Sequence, residues 1–220
     1  MAEKTVPDGL FIAFEGLHGC GKSTQLDLLA QRLGGEGYKV TATKEVSGTP
    51  LAEALRPIAF AASSEAWDNP LVMSLLIAAT RASRVSNIIR PALRAGGVVL
   101  ADRYAASMMV EQHYGGGVEK SLITTLNQHV TQGVRPHVTF LLDVTAEEAA
   151  RRRQGRSSHS AWDKKPLAYH RRSRQAYQEI AAQEGWVVID GARPSEYISG
   201  QVYTHTLQAL GAIARGQHGE

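Results

Sequence analysis

Short, nearly continuous apolar runs alternate along this chain with longer segments in which apolar residues return every three or four positions. The runs are LFIAFE (10–15), KVTATKE (39–45), GVVLADRY (97–104), HVTFLLDV (137–144) and WVVIDG (186–191). As a set they are rich in β-branched residues and bounded by turn formers, the character of strands buried on both faces of a parallel sheet. Between the first two runs, Leu26, Leu29, Ala30 and Leu33 fall at i, i+3, i+4 and i+7, which predicts a helix stopped by Gly34-Gly35. A second helical stretch, Leu71 to Leu93, meets Pro91, which predicts a kink or an end near Arg90. Thr145-Ala146-Glu147-Glu148 has capping-box spacing and predicts a helix after the fourth strand, with Glu148 at its third position. Strands alternating with helices predict a three-layer α/β fold, and no repeat, linker or boundary divides residues 1–220. The tail RGQHGE is expected to fray.

Composition narrows the classes. A chain of 220 residues suits one large domain, and 24 Lys and Arg against 21 Asp and Glu leave a charge of +3, too small to imply nucleic acid or a membrane surface. The basic residues are nonetheless gathered in RRRQGR (151–156), Lys164-Lys165 and HRRSR (170–174). Only Trp162 and Tyr169 interleave with them, so a nucleic-acid patch with stacking side chains is a poor account. The single cysteine, Cys20, permits no intrachain disulfide and suits a reducing compartment. No run approaches the roughly 18 apolar residues of a membrane span, and MAEKTVPDG lacks the apolar core of a signal peptide, so a cytoplasmic setting is expected.

The first run leads into EGLHGCGKST, in which Gly16 to Ser23 has the spacing G-x-x-x-x-G-K-S. A glycine-rich turn feeding a helix N-terminus offers phosphates backbone N–H groups and the positive end of the helix dipole. The cradle for a nucleoside triphosphate is therefore assigned to Gly16, Gly19, Cys20, Gly21, Lys22, Ser23 and Thr24, with Lys22 on the β- and γ-phosphates and Ser23 on Mg²⁺. Strand before and helix after set this apart from a glycine turn with a chance lysine. Cys20 is read as a small residue filling the turn, since no base is evident beside it to make it a nucleophile. No Asn-Lys-x-Asp guanine reader follows, which argues against a GTPase. Asp102-Arg103-Tyr104 instead ends the third strand, where open α/β sheets place ligands. There Asp102 can hold the metal or orient the acceptor, and Arg103 can clamp a phosphate, whereas a plain surface salt bridge would contribute little.

In order and spacing, FIAFEGLHGCGKSTQ, TKEVSGTPLAEALR, LIAATRASRVSNIIRPALRAGGVVLADRYAAS, LN (126–127), RPHVTFLLDV, the arginine-rich segment and RRSRQAYQEIA resemble the thymidylate kinases over nearly the whole chain. The resemblance implies a five-stranded parallel sheet, a homodimer for which Leu71 to Leu93 is a plausible face, Mg-ATP as donor and a nucleoside monophosphate as acceptor. It also implies that the arginine-rich region forms a lid, about 151–166, whose arginines, here Arg153 and Arg156, join Lys22, Asp102 and Arg103 in catalysis. The family's Asp-Arg pair within the lid has no clean counterpart, Asp163-Lys164 being nearest.

The departures from that family collect on the acceptor side. At the position of His18 it usually has an Asp or Glu that reaches the acceptor's sugar hydroxyl; a neutral imidazole accepts or donates there, and a protonated one only donates. Its Arg-Glu-Pro-Gly-Gly run is Lys44-Glu45-Val46-Ser47-Gly48 here, so Lys44 offers the acceptor phosphate a charge without a planar fork. Ile77 stands where a phenylalanine usually stacks on the pyrimidine, and Thr80 precedes the retained base-reading Arg81. Of the Ser-x-x-Tyr-Gln-Gly region only Ser107 and Gln112 are kept. Losing a stacking platform removes about 1–3 kcal/mol by analogy with single-strand binders.

The resemblance implies phosphorylation of dTMP to dTDP. Its departures raise, as alternatives, an unusual nucleotide or a phosphate- or phosphonate-bearing metabolite of a specialised pathway. A catalytically weak nucleotide-binding regulator would have no need of the whole set Lys22, Ser23, Asp102 and Arg103. A deoxynucleoside kinase would carry a general base close after the second strand, where Glu45 stands, but TPLAEALR continues as in thymidylate kinases.

Overall fold

The computed structural model describes residues 4–61, 65–154 and 165–216. Each apolar run contains one strand: β1 (Leu10–Glu15), β2 (Val40–Lys44), β3 (Val98–Asp102), β4 (Val138–Asp143) and β5 (Val187–Asp190). They form one five-stranded sheet in the order β2-β3-β1-β4-β5, parallel throughout. Every residue of the central β1 and β3 is buried, whereas the edge strands β2 and β5 are partly open. Side chains alternate between the faces. Leu10, Ile12 and Phe14 join Leu100, Phe140 and Leu142 in one core, while Phe11, Ala13, Val99 and Ala101 pack in a second on the opposite face. At about 1.5–3 kcal/mol for each large apolar side chain fully buried, this two-sided burial is the main force holding the sheet between its helices.

The helices are α1 (Lys22–Gly35), α2 (Pro50–Phe60), the single turn α3 (Glu65–Asp68), α4 (Pro70–Arg84), α5 (Arg90–Arg94), the short α6 (Ala105–Met108), α7 (Lys120–Thr131), α8 (Ala146–Gln154), α9 (Leu167–Glu184) and α10 (Ser195–Ala214). None among the described residues is long and apolar enough to cross a membrane.

Three local expectations change. First, α1 runs through Gly34 and Gly35; Gly37, at φ 93°, ends it, with the Tyr38 N–H donating to the Leu33 carbonyl at 3.0 Å. A glycine stops a helix by adopting a left-handed conformation, and Gly37 does so. Second, Pro91 neither ends nor begins the long helix. A wide π-turn, Val85–Ile89, joins α4 to α5 and carries the chain past the proline ring, which would strike the carbonyl four residues earlier in a regular α-helix. Third, half of the capping box forms: Thr145 Oγ1 accepts from the Glu148 N–H at 3.1 Å, but the Glu148 carboxylate accepts from Arg151 and Arg152.

The register positions the site. Phe14 of β1 lies opposite both Asp102 of β3 and Phe140 of β4, and Lys44 of β2 is also opposite Asp102. The carboxyl ends of three strands are therefore level, and the segments leaving them meet.

Candidate active site

The loop leaving β1 turns on glycines with positive φ: Gly16 at 133°, Gly19 at 93° and Gly21 at 103°. A Cβ on Gly16 would lie 2.7 Å from the Leu142 carbonyl oxygen of β4, and one on Gly19 would lie 2.7 Å from that of Ala149 in α8. Neighbouring backbones thus exclude side chains at both places. α1 begins at Lys22 with no side-chain cap, an arrangement that offers its first N–H groups to an anion. Lys22 is buried and its Nζ donates to the carbonyls of Gly16 and Leu17, both at 2.9 Å, and lies 3.6 Å from Cys20 Sγ. Burial, then Arg103, lowers its pKa. Cys20 itself is buried, in keeping with a packing residue.

Across the gap, Ser23 Oγ donates to Asp102 Oδ2 at 2.7 Å. Burial favours protonation of Asp102, but Lys22, the Ser23 hydrogen bond and Arg103 outweigh it and hold the carboxyl below its ordinary range. A hydroxyl and an ionised carboxylate side by side are hard oxygen donors of the kind Mg²⁺ takes alongside phosphate oxygens and water.

Arg103 has a left-handed backbone, φ 74°, a conformation costing about 1–3 kcal/mol that survives only where its surroundings enforce it. Enforcement comes from three backbone contacts. The Arg103 N–H donates to the Phe14 carbonyl at 3.0 Å, Arg84 Nη2 donates to the Arg103 carbonyl at 3.3 Å, and the Tyr104 N–H donates to Glu15 Oε1 at 2.8 Å. The guanidinium is fixed as well: Nη1 donates to Ser107 Oγ at 2.8 Å and to Tyr177 Oη at 2.6 Å, and lies 3.2 Å from Glu111 Oε1. Ser107 in turn donates to Glu15 Oε2 at 2.6 Å. Arg103 Nη2 is buried without a hydrogen-bond partner among the described residues. Burial raises the Glu15 pKa, against the pull of Arg103 and Ser107.

On the acceptor side, Arg81 is fully buried, with Nη2 2.5 Å from Glu45 Oε2 and Nη1 donating to Asn127 Oδ1 at 2.8 Å. Arg84 Nη2 approaches the other Glu45 oxygen at 3.1 Å, so two guanidiniums occupy the carboxylate that a deoxynucleoside kinase would use as a base. Asn127 completes the link by donating to the Ala105 carbonyl at 3.0 Å. Lys44 is exposed at the end of β2. Ile77 packs in a third apolar cluster with Val46, Met73 and Met108, and Thr80 Oγ1 donates to the Ile77 carbonyl within the helix. Gln112 is buried, its Oε1 without a partner among the described residues.

His18 Nε2 lies 3.6 Å from Glu111 Oε1, and its carbonyl accepts from Arg153 Nη1 at 2.7 Å. Burial, reinforced by Arg103 and Lys22, pushes the imidazole pKa down to about 4, so the ring is neutral at pH 7. Arg153, assigned above to the lid, falls among the described residues. It is buried in the last turn of α8, one turn after Ala149 on the face that meets Gly19, and it braces the phosphate loop. Arg156 and Asp163-Lys164 lie outside the described residues.

Sequence reasoning thus located Lys22, Ser23, Asp102, Arg103, Ser107 and His18, which converge, whereas Ile77 belongs to a neighbouring apolar cluster. It missed Glu15, Glu111 and Tyr177, and it gave Asn127 no role. A carboxylate ending an otherwise apolar buried strand was the available signal for Glu15; the others are met only through the fold.

The thymidylate kinase family model matches residues 14–202. The chain is 40% identical over 205 residues to a thymidylate kinase of Caulobacter vibrioides, covering 92% of this chain and 98% of that protein. It is 37% identical over 203 residues to one of Halothermothrix orenii, with coverage of 89% and 95%. Among solved structures it is similar to a thymidylate kinase from Ehrlichia chaffeensis, with a TM-score of 0.74, 30% identity, and coverage of 90% and 98%.

A titration follows from the environment of His18. Its folded pKa, about 4, is below the ordinary 6.5, so the unfolded chain takes up the proton first as pH falls. This contribution to stability is complete above pH 6.5 and lost towards pH 4. Urea unfolding between about pH 7.5 and about pH 4.5 should show a steeper loss for wild type than for His18→Asn, any slope common to both curves coming from the other ionisable groups. Parallel curves would mean that His18 is not held neutral.

Proposed function

The chain belongs to the thymidylate kinase family of phosphotransferases, and we propose that it transfers the γ-phosphoryl group of ATP to the phosphate of dTMP, releasing ADP and dTDP. The observation that carries this reading is the division of labour between two consecutive residues. Asp102 meets Ser23 at the phosphate loop, while Arg103, held through Nη1 by Ser107 and Tyr177, keeps a buried Nη2 without a hydrogen-bond partner among the described residues. One strand end thereby serves donor and acceptor together. A buried guanidinium nitrogen without a partner is costly unless an anion completes it, and the acceptor phosphate supplies one.

In the reaction an oxygen of the acceptor phosphate bonds to the γ-phosphorus as the bond to the β-phosphate oxygen breaks. Little covalent chemistry falls to the protein, so positioning and charge neutralisation dominate. Backbone N–H groups of residues 16–24 hold the donor phosphates, and Lys22 leaves the Gly16 and Leu17 carbonyls to neutralise the charge on the β- and γ-phosphates. Ser23 and Asp102 would hold Mg²⁺, which neutralises phosphate charge when bound. Arg103 fixes the acceptor phosphate, with Lys44 adding charge at the mouth. Arg81, pinned by Glu45 and Asn127, is the base-side arginine. Arg153 also steadies the loop through the His18 carbonyl, and with Arg156 it supplies the arginines of the lid. The relatives' descriptions favour dTMP over an unusual nucleotide, a phosphonate metabolite or a regulatory role.

A homodimer has a fitting surface. α2, α4 and α7 pack side by side, and Leu51, Ile58, Leu71, Leu75 and Leu122 are exposed along them. Apolar side chains gathered on neighbouring helices mark a surface that a second copy would cover.

Wild type should consume ATP with dTMP in preference to other nucleoside monophosphates, nucleosides and small phosphonates, and Lys22→Ala should lower turnover at least about 10²-fold with every acceptor. Strong turnover of another acceptor without dTMP would overturn the substrate assignment, and an active Lys22→Ala would overturn the loop mechanism. In sedimentation equilibrium, wild type should run as a dimer of the 23.8 kDa chain and Leu75→Asp as a folded monomer. A monomeric wild type would contradict the dimer.

A further inference from the structure

Glu111 has no part in the phosphate-loop or Asp-Arg motifs, yet it lies against the residue on which acceptor binding turns. A wide-turned segment, Met109–Tyr114, continues α6 and carries Glu111 one turn past Ser107, so both residues face Arg103. Tyr177 reaches the same guanidinium from α9. Three oxygens converge on Nη1: Tyr177 Oη at 2.6 Å, Ser107 Oγ at 2.8 Å and Glu111 Oε1 at 3.2 Å. No described residue partners Nη2. Two of the three acceptors are neutral hydroxyls, so Glu111 is the only ionised group among them. The same carboxylate oxygen is 3.6 Å from His18 Nε2, which links the clamp to the phosphate loop.

We infer that Glu111 is the positioning residue of the acceptor clamp: it anchors Arg103 through Nη1 so that Nη2 is presented to the acceptor phosphate, and it ties that clamp to His18. The inference rests on the proposed function in taking the acceptor to be a nucleoside monophosphate whose phosphate Arg103 holds. A carboxylate beside a phosphate-binding arginine can also act in the opposite sense, as a competitor that the phosphate must displace. The geometry separates the two. A competitor would occupy the nitrogen the phosphate needs, whereas Glu111 shares the nitrogen already held by Ser107 and Tyr177. It also offsets cationic charge where Arg103 and Lys22 lie close enough to lower the pKa of Lys22. Removing it would leave the guanidinium held by two neutral groups and free to swing its unpartnered edge away from the acceptor.

The test is steady-state kinetics and equilibrium binding of the acceptor for wild type, Glu111→Ala and Glu111→Gln, with ATP and acceptor varied separately. Glu111→Ala should raise the acceptor KM about tenfold or more and leave the ATP KM within about twofold. Glu111→Gln keeps an oxygen at the same reach and should show a smaller rise, about threefold; it decides the matter alone if Glu111→Ala does not fold. An unchanged or lowered acceptor KM would overturn the inference, the latter marking a competitor. Equal rises in both KM values with a lowered Tm would overturn it in favour of a purely structural role. The comparison is made with whichever nucleoside monophosphate wild type turns over fastest. Preference for one other than dTMP would therefore count against the function proposed above and not against Glu111, while a wild type that binds none would overturn both.

Discussion

Ionisable groups buried at the level ends of β1 and β3 are the constraint around which the rest of this molecule is arranged. Glu15, Asp102, Arg103 and Lys22 are each less than a tenth exposed and crowd into one crossing, because the register sets Phe14 opposite Asp102. Removing one partner from such a buried set costs about 3–5 kcal/mol, a large share of the stability of an ordinary domain. The set is accordingly tied to its neighbours, and the ties reach α1, α6 and α9. The two apolar cores on either side of the sheet keep those strand ends in register.

The same crowding generates the chemistry. Burial and then the neighbouring Arg103 disfavour the charge on Lys22, a cost that an approaching anion would offset. Asp102 is kept ionised by these cations and by the Ser23 hydrogen bond, the state that the metal role proposed for it would need. Arg103 has a left-handed backbone, and its side chain bonds Ser107 and Tyr177 while that of Asp102 bonds Ser23. A phosphotransferase must hold two polyanions together, and this fold does so with opposed charges already paired within the protein.

Much of the fold was legible in the sequence for a physical reason. Strands buried on both faces need near-continuous apolar runs, and all five strands fall inside such runs. The phosphate loop was legible because only glycine fits where the backbones of β4 and α8 press on it. What escaped depended on contacts between distant segments. Ser107 meets Glu15 across 92 residues and Tyr177 meets Arg103 across 74, and no local pattern encodes either pairing. Local signals also failed where two outcomes were possible. Gly34-Gly35 is compatible with helix or stop, and φ alone decides; Pro91 is accommodated because a wide turn precedes it. The contact of Arg153 with the His18 carbonyl escaped as well, since it depends on α8 packing against the loop.

The division of labour between Asp102 and Arg103 is tested most directly by steady-state kinetics of Asp102→Asn and Arg103→Lys, with ATP and dTMP varied separately. Asp102→Asn should lower kcat about 10²-fold or more with little change in the dTMP KM. Arg103→Lys, which keeps the charge but loses the fork, should raise the dTMP KM about tenfold and leave the ATP KM unchanged. Two variants with the same kinetic signature, or Arg103→Lys acting on ATP alone, would contradict the assignment of donor and acceptor to adjacent residues.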